Sequence, residues 1–224
     1  MLWNRLGNTA LLAGLAFAVI VPLSLLLGIL AGMRAGSGTD RMVSAISIVM
    51  TSIPEFALGV MLVAVFVVSL HWLPGTSTLD PSSAWSIAAQ LVLPVATLAI
   101  YDSGYVARMV RSSMAEVMTR PYIRTAVLKG MAFRNVVLKH ALRNAMIAPF
   151  TVILLQINYL VTGLVVVESL FAYPGFGQMV LAAGLNQDVA LVEAGALVAV
   201  CVNVATQIAG DLVYMTLNPQ IRLR

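Results

Sequence analysis

Long hydrophobic stretches alternate with short polar ones along the chain. The first stretch, from Leu6 to Met33, carries no charged residue and exceeds the roughly 20 apolar residues with which an α-helix crosses a bilayer. Four more stretches of comparable character follow it. The pattern predicts five transmembrane helices, at about residues 9–33, 42–70, 86–107, 147–167 and 189–217.

Composition agrees with this pattern. Hydrophobic residues make up 60% of the 224 residues and charged residues only 10%, whereas a soluble domain is nearer 25% charged. We therefore predict an all-α polytopic membrane protein with a single transmembrane domain, residues 1–224.

Basic residues lie almost entirely on one side of the predicted spans. The Arg34–Arg41 turn, the segment 108–146 and the tail at Arg222–Arg224 together hold twelve of the thirteen Lys and Arg residues. The positive-inside rule makes that side cytoplasmic and places Pro74–Pro81 outside. Membrane topology explains the basic charge without nucleic acid. Because five spans leave the N-terminus outside with no leading signal, we expect a further span before Met1, supplied by a longer chain or by a partner.

The segment 108–146 is too apolar to be disordered and contains eight of the basic residues but one acid, Glu116. Pro121 follows Arg120 as a helix start, and Gly130 is a candidate helix end. A second helix is expected from about Phe133 to Asn144. Two short helices hinged at a glycine could dock on a protein or lie on anionic lipid, and physical reasoning alone leaves both open.

This segment carries a resemblance to a known family. YIRTAVLKGMAFRNVVLKHALRNAMIAP resembles the EAA loop of ABC-importer membrane subunits, in the form typical of peptide and nickel permeases. ARMVRSSMAEVM, ESLFAYPGFGQ and DLVYMTLNPQIR are similar to that family's first membrane subunit. Two positions depart from the pattern, since Arg124 stands where a glutamate is common and Arg143 where a proline is usual. Family members usually have another span and an external domain before the region of Thr9, so the chain is shortened, misassigned at its start or a fragment.

The resemblance implies a type I ABC importer transmembrane domain with a cytoplasmic coupling-helix loop. It implies a bacterial inner-membrane permease that forms the translocation pathway for peptides or a related small solute. It also implies four kinds of partner: a second homologous permease, one or two ABC ATPases that bind ATP and Mg²⁺, an external solute-binding protein and membrane lipid. The chain itself would not be an enzyme. The solute could be a dipeptide, an oligopeptide, nickel or glutathione.

Residues of the EAA-type loop are the expected contacts with the ATPase. We expect the apolar Ile123 and Ala126 to fill a groove of the ATPase, while Arg124 and Arg134 meet polar or acidic groups at its rim. The full set comprises Tyr122, Ile123, Arg124, Thr125, Ala126, Lys129, Gly130, Met131 and Arg134.

Acidic residues in or near the spans are the other candidates, because an ionised side chain there is costly and normally faces a cavity or a partner. Glu55 follows Pro54, where a helix break could open backbone to a pathway; a structural hydrogen bond is the alternative. Glu168 could cap a helix or form part of an outer gate. Asp102 suits an interfacial role, and Asp211 suits packing.

The sequence contains no phosphate-binding loop and no metal-ligand spacing around His140. The glycines at 28, 32 and 36 favour close helix packing, although small residues are tolerated in lipid without such a role.

The alternative function is an ATP-independent secondary transporter or channel subunit. That class predicts inverted repeats, and no convincing repeat is found.

Overall fold

The computed structural model describes residues 2–80 and 82–217, and the regular structure of these residues is entirely helical. Three helices are each long and apolar enough to cross a membrane, and the number rises to the predicted five if each of two bent helix pairs counts as one span. The predicted basic tail at Arg222–Arg224 and the side chain of Asp211 lie outside the described part. In chain order the helices are α1 (Leu2–Gly32), α2 (Gly38–Ser52), α3 (Glu55–Ser69), α4 (Ile87–Met118), α5 (Pro121–Leu128), α6 (Phe133–Ala145), α7 (Ile147–Gly163), α8 (Val165–Leu170), α9 (Phe176–Leu185) and α10 (Val189–Leu217).

The crossing of α1 and α4 is the centre of the fold. A Cβ atom on Gly28 would lie 2.4 Å from Cβ of Val110, and one on Gly32 would lie 2.6 Å from Cβ of Met114. Two of the three spaced glycines therefore permit close helix packing. The third, Gly36, lies in the turn after α1 with φ +84°, a conformation that glycine adopts without strain.

Pro54 divides the second span into α2 and α3, which meet at 95°. Ile53 before it is extended, with φ −91° and ψ 125°, as expected for a residue that precedes proline. The helix break predicted at this position is present. A second bend of 54° separates α6 from α7.

Helix α4 begins with a cap, because the Ser86 hydroxyl accepts a hydrogen bond from the Ala89 N–H at 3.2 Å. The helix then continues to Met118, well past the hydrophobic stretch. The first part of the segment 108–146 is therefore an extension of α4. The remainder forms α5 and α6, packed against the end of α4 through a second, smaller core.

Candidate coupling surface and transmembrane cleft

Both ends of α5 follow from local sequence. Pro121 occupies the first helical position after Arg120, where its missing N–H is not needed. At the other end Gly130 has φ +75°. Its N–H donates to the Val127 carbonyl at 2.9 Å, and the Met131 N–H donates to the Ala126 carbonyl at 3.3 Å. This pair of bonds is a Schellman motif.

The inner face of α5 packs on the chain itself. Ile123 and Ala126 are 3% and 6% exposed. They lie in the second core with Met114 of α4 and with the α6 residues Val136, Val137, Ala141 and Ala145. The expectation that Ile123 and Ala126 enter a groove of an ATPase is wrong, because their spacing of three places both on the face that α6 covers.

The outer face of α5 is exposed, and its one side-chain bond to another helix among the described residues is that of the Tyr122 hydroxyl, which accepts from Nδ2 of Asn144 in α6 at 3.0 Å. Leu128 is 79% exposed and Val127 52% exposed; Tyr122, Arg124, Thr125 and Lys129 are exposed as well, as are Gly130 and Arg134 beyond the helix. Met131 is partly buried against the second core. We call Tyr122, Arg124, Val127, Leu128 and Lys129 the coupling surface.

A partly buried ion pair fixes the turn between α1 and α2 to the end of α4. Arg111 donates from Nε and Nη2 to the two carboxylate oxygens of Asp40 at 2.8 and 2.7 Å, and the Asp40 side chain is only 4% exposed. The Gly36 N–H adds a bond of 2.7 Å. Sequence reasoning missed this pair. The two residues are 71 positions apart, so no local pattern in the sequence indicates the contact.

Beside this pair, the guanidinium of Arg34 lies 5.5 Å from the ring centroid of Phe133, a cation–π contact that joins the end of α1 to α6.

An open cleft of about 610 Å³ lies between α4 and α7, next to the end of α2. Its lining combines polar and apolar side chains: Thr51, Tyr101, Asp102, Tyr105, Arg108, Val152, Leu155, Gln156 and Tyr159. Asp102 accepts a hydrogen bond from Nε2 of Gln156. Glu55, at the start of α3, accepts one from the Tyr159 hydroxyl at 3.1 Å. The structure thus brings Asp102 and Glu55 to the same region, an association that sequence reasoning did not predict.

Glu168 is fully buried at the opposite end of the fold. The Thr9 hydroxyl donates to its Oε1, and the Gln178 N–H in the first turn of α9 donates to its Oε2 at 2.9 Å. A Cβ on Gly175 would lie 2.1 Å from Cδ of Glu168, so glycine is needed in this approach. Of the two predicted roles, the geometry shows the helix cap; the gate stays a prediction. Glu193 is exposed on α10.

A family described as binding-protein-dependent transport system inner membrane component matches residues 24–223. A protein of Brucella abortus, named as a peptide transport system permease protein, is 36% identical over 98% of this chain and 70% of its own length. The dipeptide transport system permease protein DppB of Bacillus subtilis is 33% identical over 93% of this chain and 65% of its own length.

Solved structures agree in fold. The inward-facing methionine ABC transporter MetNI superimposes with a TM-score of 0.71 at 22% identity, covering 97% of this chain and 94% of that one. An amino acid ABC transporter gives a TM-score of 0.72 at 15% identity over 95% and 92% of the two chains. The family match decides between the two function classes considered from sequence. The chain belongs to the family of binding-protein-dependent transport system inner membrane components, and it is a permease subunit of an ATP-driven importer in which partner subunits hydrolyse ATP.

Proposed function

We propose that the protein is one of two homologous membrane subunits of a bacterial inner-membrane importer of short peptides. Relatives named as peptide and dipeptide permeases support the substrate class. The remaining partners are one or two ATPase subunits, which bind ATP and Mg²⁺, and an external solute-binding protein. The family description, which names binding-protein dependence, supports the last of these.

The coupling surface is the proposed contact with the ATPase. Leu128 and Val127 leave an apolar patch in a surface that also carries Arg124 and Lys129, a combination suited to a short helix that docks in a groove. This exposed patch is the observation that carries the coupling role. An amphipathic helix lying on lipid would turn its apolar face to the bilayer. In α5 the apolar face made by Ile123 and Ala126 is covered by α6 instead.

The packing supports transmission of motion from this surface to the spans. Only Thr119 and Arg120 separate α5 from α4, and Ile123 joins both α6 and Met114 of α4 through the second core. Since α4 also carries Asp102 into the cleft, a displacement of α5 by the ATPase would act on the cleft through a continuous helix. The cleft is the proposed segment of the translocation pathway in this subunit, with Glu55 and Asp102 as its acids.

The distribution of basic residues supports a proposed orientation of the protein in the membrane. The side that carries α5, the Arg34–Arg41 turn and the α4 extension holds most of the basic residues, so we propose that it is cytoplasmic. The end of the fold with Glu168 and α9 then faces outward, toward the solute-binding protein.

The experiment is reconstitution of the complex that co-purifies with this chain. In proteoliposomes we expect uptake of radiolabelled Ala-Ala that requires ATP, the co-purifying ATPase and the solute-binding protein. A complex with a hydrolysis-deficient ATPase is the control and should give background uptake. Uptake that continues without ATP, or a complex that takes up no peptide, would contradict the proposal.

A further inference from the structure

We propose that Asp102, together with Glu55 and Tyr159, forms a binding site for the ammonium group of the solute as it passes through the cleft. This site deepens the proposed peptide import and rests on it. It would give the membrane subunit its own contact with the solute, separate from recognition by the solute-binding protein.

The first observation is an unpartnered carboxylate oxygen on a residue that lines the cleft. Asp102 is 2% exposed and lines the cleft. Its Oδ1 accepts from Gln156, whereas Oδ2 is buried without a hydrogen-bond partner among the described residues. A buried polar atom without a partner destabilises the protein, and more so when it is charged. A donor that arrives in the cleft would remove that cost.

Glu55 provides the second observation. Its Oε2 accepts from the Tyr159 hydroxyl, and its Oε1 is buried and also lacks a partner within residues 2–80 and 82–217. Tyr159, which bonds Glu55, lines the same cleft as Asp102. Two acids with one open oxygen each, close together in a low-dielectric region, attract a cationic group with several N–H donors. A primary ammonium has three such donors, the same number as a lysine side chain.

The rest of the cleft suits a zwitterion. Tyr101, Tyr105 and Tyr159 line it, and tyrosine rings attract cations through their faces. Arg108 lines the same cleft six residues further along α4, about 9 Å along the helix axis. An ammonium group at Asp102 would therefore leave a cation within reach of the solute's carboxylate. A short peptide with free termini has this arrangement of charges.

The test compares variants of the reconstituted complex in uptake of radiolabelled Ala-Ala, with the solute-binding protein saturating. Asp102→Asn keeps the shape of the side chain and removes its charge. We expect complex assembly and basal ATP hydrolysis to be retained and Ala-Ala uptake to fall about tenfold or more, since hydrogen bonds to charged groups contribute about 1.5–3 kcal/mol. The matched control is Glu193→Gln, which neutralises an exposed acid on α10 outside the cleft lining and should leave uptake unchanged.

Three results of this experiment would overturn the ammonium site or replace the variant that tests it. Uptake at the wild-type level by an assembled Asp102→Asn complex overturns the ammonium site and leaves peptide import standing. If Asp102→Asn does not assemble, Glu55→Gln, at a partly exposed position, takes its place with the same expectation and the same contrary result. A wild-type complex that takes up no Ala-Ala overturns the peptide assignment and the site together.

Discussion

The side chains that fix the basic end of this permease come from distant parts of the chain. Asp40 and Arg111 are 71 residues apart and form a bidentate pair, the geometry in which arginine binds carboxylates most strongly. Ser44 and the Gly36 N–H satisfy further positions on the same carboxylate. The pair therefore holds the α1–α2 turn against α4 just above the coupling surface.

We expect Arg111→Met to destabilise the assembled protein by about 1–3 kcal/mol, because it leaves the nearly buried carboxylate of Asp40 short of its strongest donor. The partial exposure of Arg111 keeps the loss below that for a fully buried pair. The double variant Asp40→Asn, Arg111→Met should lose less than the sum of the single changes. Apparent Tm of the purified complex measures this, and strict additivity of the two changes would show that the pair is not coupled.

The conformation of individual residues can be predicted from sequence where neighbouring residues alone determine it. The helix start at Pro121 and the glycine end at Gly130 follow from backbone chemistry that a few neighbouring residues determine. The burial of Ile123 and Ala126 does not follow from neighbouring residues. Their spacing shows that they share a helix face, but it does not show what covers that face. The pairing of Asp40 with Arg111 is likewise a tertiary contact that no short window contains.

Among the elements, the contact of α1 with α4 is the most tightly constrained. Backbone approach at Gly28 is so close that an added Cβ would lie 2.7 Å from the Ala107 carbonyl oxygen as well as against Val110. The Ala107 carbonyl is part of the backbone, so it cannot move aside by a change of rotamer as a flexible side chain can. The glycine is therefore required by the crossing itself.

We expect Gly28→Ala to cost about 1–3 kcal/mol through overpacking. The matched control is Gly14→Ala in the same helix, where an added Cβ meets nothing within 4 Å, and it should be neutral or slightly stabilising because alanine favours helix. Apparent Tm of the two variants gives the comparison. Equal values for Gly28→Ala and wild type would mean that the crossing relaxes more easily than its geometry indicates.

Element positions follow from hydropathy more reliably than element ends. The five spans and the break at Pro54 are visible in the sequence, because bilayer thickness and proline geometry dictate them. The extension of α4 to Met118 is not visible. Hydropathy reports where the chain leaves the hydrocarbon, and a helix continues beyond that boundary whenever its next turns are packed, as those around Met114 are.

At the scale of the whole molecule, the fold leaves surfaces that one subunit alone does not cover. On α10 the side chains of Leu197, Val200, Val204 and Ile208 are at least half exposed and recur at helical spacing, which suits lipid or a second membrane subunit. The coupling surface is different, because its apolar residues Val127 and Leu128 stand beside Arg124 and Lys129 at the end of the fold opposite Glu168. Through that surface we expect the permease to couple to its ATPase.

Leu128→Asp probes this contact with the ATPase, because Leu128 is 79% exposed and the change places a charge in the proposed groove without disturbing the second core. Leu185→Asp is the matched control, since Leu185 is 78% exposed at the end of α9. The measurement is the amount of ATPase retained on the purified membrane subunits. We expect Leu128→Asp to weaken retention about tenfold or more, as for an anchor residue of an interface, and Leu185→Asp to retain the ATPase fully. Full retention by Leu128→Asp, with normal solute-stimulated ATP hydrolysis, would contradict coupling through this surface.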